Sequence, residues 1–582
     1  MAAIITSKFR FHNSEQFKES FSEAAPTNYY MFIGRPSLFA AGTTGGTDAA
    51  PPTPVDNRRS EAYNWDDMLA AKKIDTTGVT HAIPRRDLDV SGATTYDMYR
   101  PNYSSANTAT SGATSLFDST FYFMTSAYRI YKVLDNGGVA WTAAAPTSTS
   151  SVPFTVSGYT IKYMGTLSTT NVQNFVTPDF IPVSITPESG NNLADGMLHV
   201  VKIVGAGLSL IGGATWNIAA DRTVTNVPVR GDGTGALATV TIGGTNGASD
   251  GQVTTISITS GGTGYTQGSV IASDIVDQHY TQYTTVLSFS NVANTPTFEV
   301  IIGPDGGHGS NPAKELGGHF VLMDTKLQQT EAFDFSVVND FRQLGIIRNP
   351  YSYGTTSAFT GSTARQTYAV KLLTNSGTFV ADEKITQTIP AQTISTVTIS
   401  GSLITVNTDT AHQLQTGQTV KIAGGTFSGG VTSGHIGTHH ITKIDADTFK
   451  FAVSTSRTPT GTLTGTMPTY TTFIPQAIVV EWDATNKLLF YIQNPYDNQG
   501  TDATYKQKIP FSGNSTITGE TSNATGVPHT ASSATVNNTV FVSGYTNPEM
   551  QPDSGDIIYI ENRKPISRAS DQTEDVKLVV EF

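Results

Sequence analysis

The sequence predicts a mainly β protein: a β-sandwich core with a few short helices, carrying inserted small β-barrel or sandwich domains. Three observations point there. Threonine is the commonest residue, 88 of 582, and together with Val, Ile, Tyr and Phe it favours pleated, half-buried strands. The 54 glycines and 27 prolines stand against only 35 basic and 47 acidic residues, so the chain is rich in turns and poor in charge. At about 150 residues per domain the length suggests roughly four compact units, each able to bury its own core. The texture divides the chain into a core region over 1–185, a Gly/Thr-rich β region over 186–300 and a return to the core over 301–350. Nested β insertions then occupy 351–545, with an inner unit at about 391–468, and core strands close the chain over 546–582.

The elements follow in order. Asn13 can cap a helix with Gln16 three residues on, which puts Phe17 and Phe21 on one face and predicts an end near Ala24. Residues 41–54 carry too many breakers for regular structure and predict a surface loop. A second short helix is expected after Asn64. There Asp66 and Asp67 favour the positive end, Lys72 and Lys73 the negative end, and Trp65, Met68 and Leu69 form an apolar stripe. Aromatic and β-branched residues crowd 121–134 and 157–167, as strands of a sheet would. Short alternating runs between glycines, such as Val253, Ile256 and Ile258, read as tight hairpins. Asn311 before Pro312, with Gly317 after Leu316, marks one helical turn.

Residues 378–387 and 477–492 look like strands of one small barrel or sandwich, and 393–466 supplies strands of its own inside it. The Ser/Thr/Asn/Gly-rich stretch 511–546 predicts loose order. At the end, Val576, Leu578, Val580 and Phe582 alternate with Lys577 and Glu581, so the chain is expected to finish inside a sheet. No period of 20–50 residues persists, which disfavours a solenoid.

Composition excludes several functions. The formal charge is −12, and no run of Lys or Arg could neutralise a row of phosphates, so nucleic acid is not expected as a partner. Without cysteine there is no disulfide, thiolate nucleophile or Cys-ligated metal. The apolar start before Lys8 is too short for a signal-peptide core, and no apolar run reaches the length of a membrane span; a soluble protein is expected.

Few residues suggest chemistry. His435, His439 and His440 could offer imidazoles to a metal, but Gly434 and Gly437 point to strand and turn, where solvated strand ends are the simpler reading. The glycines of 231–236 approach a phosphate-binding spacing, yet a strand-like run follows instead of the helix whose amides such a site needs, so tight turns account for them. Calcium at Asp232 lacks supporting carboxylates. The pairs Asp66/Asp67 and Glu574/Asp575 are sequence neighbours and fit caps and solvated faces better than a glycosidase dyad. Neither an enzyme nor a cofactor or metal site is expected. More informative are the arginines of 32–35, 83–87 and 559–565, set against apolar strands. Their donor forks suit carboxylate and carbonyl partners, in an intrachain ion pair or at a subunit interface.

Those segments carry a resemblance. Residues 554–582, with the core IYIENRKPI followed by DQTE and a terminal strand, resemble the closing segment of the gene-product-eight type of baseplate wedge protein found in T4-like, contractile-tailed phages. Supporting motifs are ITSKFR (5–10), FIGR (32–35), IPRRD (83–87), YRIYKVLDN (128–136), KYMGTLSTTNVQNFVTPDFIPV (162–183) and FRQLGIIRNP (341–350), in the family's order. Residues 186–300 and most of 351–545 depart from the compact pattern and look like expansions, as in cyanophage relatives; such insertions cost little closure entropy.

The resemblance implies a mainly β subunit of the virion tail baseplate that forms a homodimer within each of six wedges and touches other wedge proteins, without catalysis or cofactor. Aromatic and arginine anchors dominate interfaces, so Trp65, Arg85, Arg86, Tyr99 and Arg563 are interface or core candidates. Two other functions compete: a receptor-binding or tail-fibre adhesin that contacts host glycans through the insertions, and a polysaccharide-degrading enzyme.

Overall fold

The computed structural model describes residues 6–40, 45–188, 190, 193–211, 214–245, 250–289, 294–328, 335–493, 509–537, 539–569 and 571–582. It is mainly β, built of several antiparallel sheets with few short helices. The chain divides into two compact units. The first comprises Met1–Ser22, Thr76–Asp324 and Lys577–Phe582; the second comprises Glu23–Asp75 and Thr325–Val576.

The first unit is organised by a dense aromatic core. Strands Tyr122–Met124, Arg129–Asp135, Tyr159–Thr166 and Phe154–Val156 make a four-stranded antiparallel sheet in that order, as the alternation of 121–134 and 157–167 predicts. Phe121, Tyr122, Phe123, Tyr131, Trp141 and Tyr159 are fully buried there, and Trp141 meets Phe123 at 5.2 Å and Tyr159 at 5.1 Å, edge to face. Such rings bury large areas, but a buried phenol must still find an acceptor. Each does: Tyr122 donates to the Pro84 carbonyl (2.6 Å), Tyr131 to that of Ser148 (2.8 Å) and Tyr159 to that of Val139 (2.6 Å).

Helix Ser7–Glu19 starts earlier than the Asn13 cap suggests. Thr6 is the N-cap, its hydroxyl accepting from the Phe9 amide, and the helix stops at Glu19, short of Ala24. Phe17 and Phe21 do meet, edge to face at 5.4 Å. The chain end returns to this helix: Arg10 donates to the Phe582 carbonyl and the Glu581 carboxylate, and Phe582 lies 5.3 Å from Phe17.

Within 186–300, strands Arg222–Pro228, Thr234–Ile242 and Val253–Thr263 form a three-stranded meander over its own core, which includes Val224, Val240 and Trp216. The hairpin reading holds there but misses helix Ala272–Tyr283, which buries Ile275 and His279. The turn Pro312–Leu316 is as predicted: Asn311 accepts from the Lys314 amide, and Gly317 closes it at φ 85°, a conformation that favours glycine.

In the second unit a five-stranded antiparallel sheet runs in the order Thr363–Arg365, Met68–Lys73, Tyr29–Gly34, Phe341–Arg348, Asp556–Ile566. This corrects the second predicted helix. The helix is Arg58–Asp66, capped by Asn57, whose side chain accepts from the Ser60 amide, and Met68–Lys73 is a strand. The helix-like charge pattern loses because Met68–Ala71 is wholly buried and pairs along its length with the fully buried strand Tyr29–Gly34.

A small barrel follows, in the order Leu488–Ile492, Gln476–Asp483, Lys384–Gln387, Ile517–Gly519, Thr525–Pro528 and Tyr368–Ser376, the last pairing back on the first. Residues 511–546 therefore include two barrel strands, against the reading of loose order; the buried Ile517 and Phe511 anchor them. Inside the barrel sequence, strands between Ile394 and Thr472 wrap a separate core of Ile404, Val406, Val420, Phe449, Phe451 and Tyr470.

Candidate functional site

The anchor candidates fall into both units. In the first, Arg85 holds Asp87 through two bonds of 3.0 Å and donates to the Thr177 carbonyl (3.1 Å). Arg86 donates to the Phe117 carbonyl (2.9 Å), with its guanidinium 4.5 Å over the Tyr122 ring. Tyr99 is buried in the aromatic core. In the second, Trp65 ends its helix buried against Tyr30, Phe32 and Met68, whereas Arg563 stands out from Asp556–Ile566, paired with Glu561 at 3.2 Å. Arg35 pairs with Asp67 (3.2 Å) and lies 4.4 Å over Phe39. Of the five, the structure leaves Arg563 the most open to a partner.

Of the histidines of 435–440, His440 is the exposed end of strand Gly437–His440, as read, but the other two are not solvated. His435 and His439 are buried: His435 Nε2 is 3.0 Å from the Gly424 carbonyl, and His439 Nε2 is 2.8 Å from the His435 carbonyl with its ring stacked 4.2 Å from Phe451. Burial pushes both below the ordinary imidazole range. Among the described residues no group of three or more His, Asp or Glu is placed to hold a metal. Asp232 bridges a turn by accepting from the Thr266 hydroxyl, the Thr266 amide (2.9 Å) and the Gln267 amide (3.1 Å), and these bonds, the hydroxyl's foremost, hold its carboxyl at about 2.

Sequence reasoning passed over a buried ionic cluster in the first unit. Lys132, in the middle of its strand, and Glu315, on the turn Pro312–Leu316, form a fully buried ion pair. Glu315 also accepts from the amides of Gly309 (2.8 Å) and Asn311 (3.3 Å), and the Lys132 ammonium lies 4.4 Å over the Tyr99 ring. Burial lowers the Lys132 pKa, against the opposing pull of Glu315. Lys162, on the neighbouring strand, is brought down to about 8 by burial. His308 packs edge to face on Tyr99 at 5.1 Å and on His199 at 5.5 Å; burial lowers both imidazoles, His199 to about 4. Beside the cluster lies a cleft of about 490 Å³ walled by Phe11, Tyr99, Tyr103 and Phe117. The pair pins the 309–316 segment onto the sheet. The sequence signal was present, since Lys132 and Lys162 interrupt otherwise apolar strand runs, but their partner lies more than 150 residues away.

Strand Asp556–Ile566 offers an open edge. It is the last strand of its sheet and exposes Ile558 (43 %) and Tyr559 (37 %). Its pairing with Phe341–Arg348 is offset at Ile558 and again between Asn562 and Ile566. A free strand edge bearing apolar side chains is a surface on which another chain can pair. Among the described residues no helix is long and apolar enough to cross a membrane.

No curated protein matches the chain. Residues 522–582, the stretch that contains this edge strand, match the family model described as "Bacteriophage T4, Gp8", which supports a relationship to the baseplate wedge proteins over that C-terminal segment.

Proposed function

We propose that this chain is a structural, non-catalytic subunit of the baseplate wedge in a contractile phage tail, assembling as a homodimer with other wedge proteins around the hub. The observation that carries the reading is the family match over 522–582. Two features of the molecule agree with it. The matched segment supplies an exposed edge strand, and Arg35, Arg85 and Arg86 of the other two arginine motifs are spent on bonds within the frame. A subunit whose work is to be gripped needs rigid, specific surface, which buried aromatic packing and satisfied polar pairs provide.

A second reading, an adhesin for host glycans, is favoured by one feature. Strand Ile394–Ser400 of the inserted unit exposes Thr396, Thr398 and Ser400, alternate residues that carry hydroxyls. Two measurements separate the readings. For the wedge subunit, the mass in solution is twice that of the chain and peptides of the protein are found in purified tails stripped of fibres. A stable trimer that leaves with the fibres and binds a glycan array overturns it in favour of the adhesin.

A further inference from the structure

We propose that the cleft between strand Asp556–Ile566 and the start of helix Arg58–Asp66 accepts a short, extended, basic segment of a neighbouring polypeptide, added to the sheet as a further strand. The inference rests on the wedge reading only for where that neighbour is found.

Strand Asp556–Ile566 pairs on one side with Phe341–Arg348 and, among the described residues, with no strand on the other. Its outward amides and carbonyls are therefore a template for main-chain bonding, which supplies affinity in strand addition while alternate side chains supply selectivity. Alongside Asp556–Ile560 runs a cleft of about 420 Å³ whose other wall is Val55, Asp56, Asn57, Glu61 and Asn64. The wall is tied to the strand beyond the cleft, where the Asn562 side chain donates to the Pro52 carbonyl (2.9 Å), and Pro565 offers no amide further on. The occupant is thus limited to about five residues, roughly 17 Å of extended chain.

The lining gives the occupant its chemistry. Val55 is 61 % exposed and, with the exposed Ile558 and Tyr559, gives the lining its apolar surface. The charged groups of the lining are all carboxylates: Asp56, Glu61 and Asp556. Asp556 is paired with Arg348 at 2.7 Å, whereas Asp56 and Glu61 have no ion-pair partner among the described residues. Arg58 and Arg59 belong to the same helix but do not line the cleft, and Arg59 is turned 5.7 Å over the Tyr63 ring. Lysine or arginine alternating with β-branched residues complements such a wall, and an acidic strand is repelled by it.

The test uses the full chain and a fluorescent heptapeptide that alternates lysine with valine or isoleucine. One control carries glutamate for lysine, and another carries proline at the centre. Anisotropy titrations at fixed salt are expected to show the basic peptide binding at least about tenfold more tightly than either control. Asp56→Lys with Glu61→Lys, both exposed or at the cleft wall, is expected to remove that preference, and Ile558→Lys to weaken binding by about tenfold. Equal binding of the three peptides, or no change in the double variant, overturns the proposal. So does a dimer that Ile558→Lys converts to monomer while no peptide binds, because the edge would then be covered by a second copy. Selective binding by a chain that is absent from purified tails sinks only the wedge reading; a chain present in tails without selectivity sinks only the cleft.

Discussion

Lys132 and Glu315 are removed from water together, and the arrangement is tolerable only because each has the other and Glu315 has two amides besides. Glu315→Gln leaves Lys132 buried without its counter-charge and is expected to cost about 3–5 kcal/mol. Adding Lys132→Met to that variant should recover most of the loss, since the glutamine carbonyl can still serve the Gly309 and Asn311 amides. Urea unfolding of the two variants measures both; a single variant that loses under about 1 kcal/mol contradicts the account. The buried histidines give a second expectation. His81, His199 and His319 are each brought to about 4, in every case chiefly by burial, with the positive charges of Lys18, of Lys132 and Lys162, and of Arg10 respectively lowering them further. Unfolded imidazole titrates near 6.5, so between about 6.5 and about 4 the unfolded chain binds more protons than the folded one. Their contribution is complete above that window and is lost as pH falls through it, at up to about 1.4 kcal/mol per pH unit for each. Urea midpoints between pH 7 and pH 4 should fall accordingly, and a flat profile would contradict it.

The strands and turns most legible in the sequence are those fixed by their own neighbours. The aromatic runs of 121–134 and 157–167 became strands because alternation and bulk act locally, and 311–317 became a capped turn because Asn, Pro and Gly each satisfy one position. Where distant pairing decided, local signals misled: Met68–Lys73 carries helix-like charge but is claimed by the ladder with Tyr29–Gly34. Ala272–Tyr283 lies in Gly/Thr-rich surroundings and has no side-chain cap to announce it. Asp556–Ile566 could be read as a strand, but its position at an edge, and the carboxylate wall opposite, depend on helix Arg58–Asp66 from the far end of the chain. The inserted unit offers a direct check on nesting. The Gln387 amide bonds the Pro475 carbonyl at 3.1 Å, so the barrel strands on either side of the insertion begin and end side by side. Replacing residues 388–474 with a short glycine-containing turn should leave a cooperatively unfolding protein. It should be weakened by the lost bonds of Gln413 and Gln418 to Ser512, Ser515 and the Pro510 carbonyl, at about 1 kcal/mol each. Near-ultraviolet circular dichroism reads the aromatic packing, and its collapse would show that the barrel needs the insert.

As a molecule, the chain concentrates its chemistry inside and its opportunities for contact at strand edges. In the first unit the Lys132–Glu315 pair is buried, with the Lys132 ammonium 4.4 Å over the Tyr99 ring. The segment that matches the Gp8 family supplies one barrel strand, Thr525–Pro528, the exposed edge strand and the terminal strand, so the recognisable part is also part of the frame. The measurement that bears most directly on a wedge role is a three-dimensional reconstruction of the intact tail in which this chain is traced. The expected result is density for it in every wedge around the hub, with Asp556–Ile566 against a neighbouring polypeptide. Density confined to the fibres, or a baseplate complete without this chain, would contradict it.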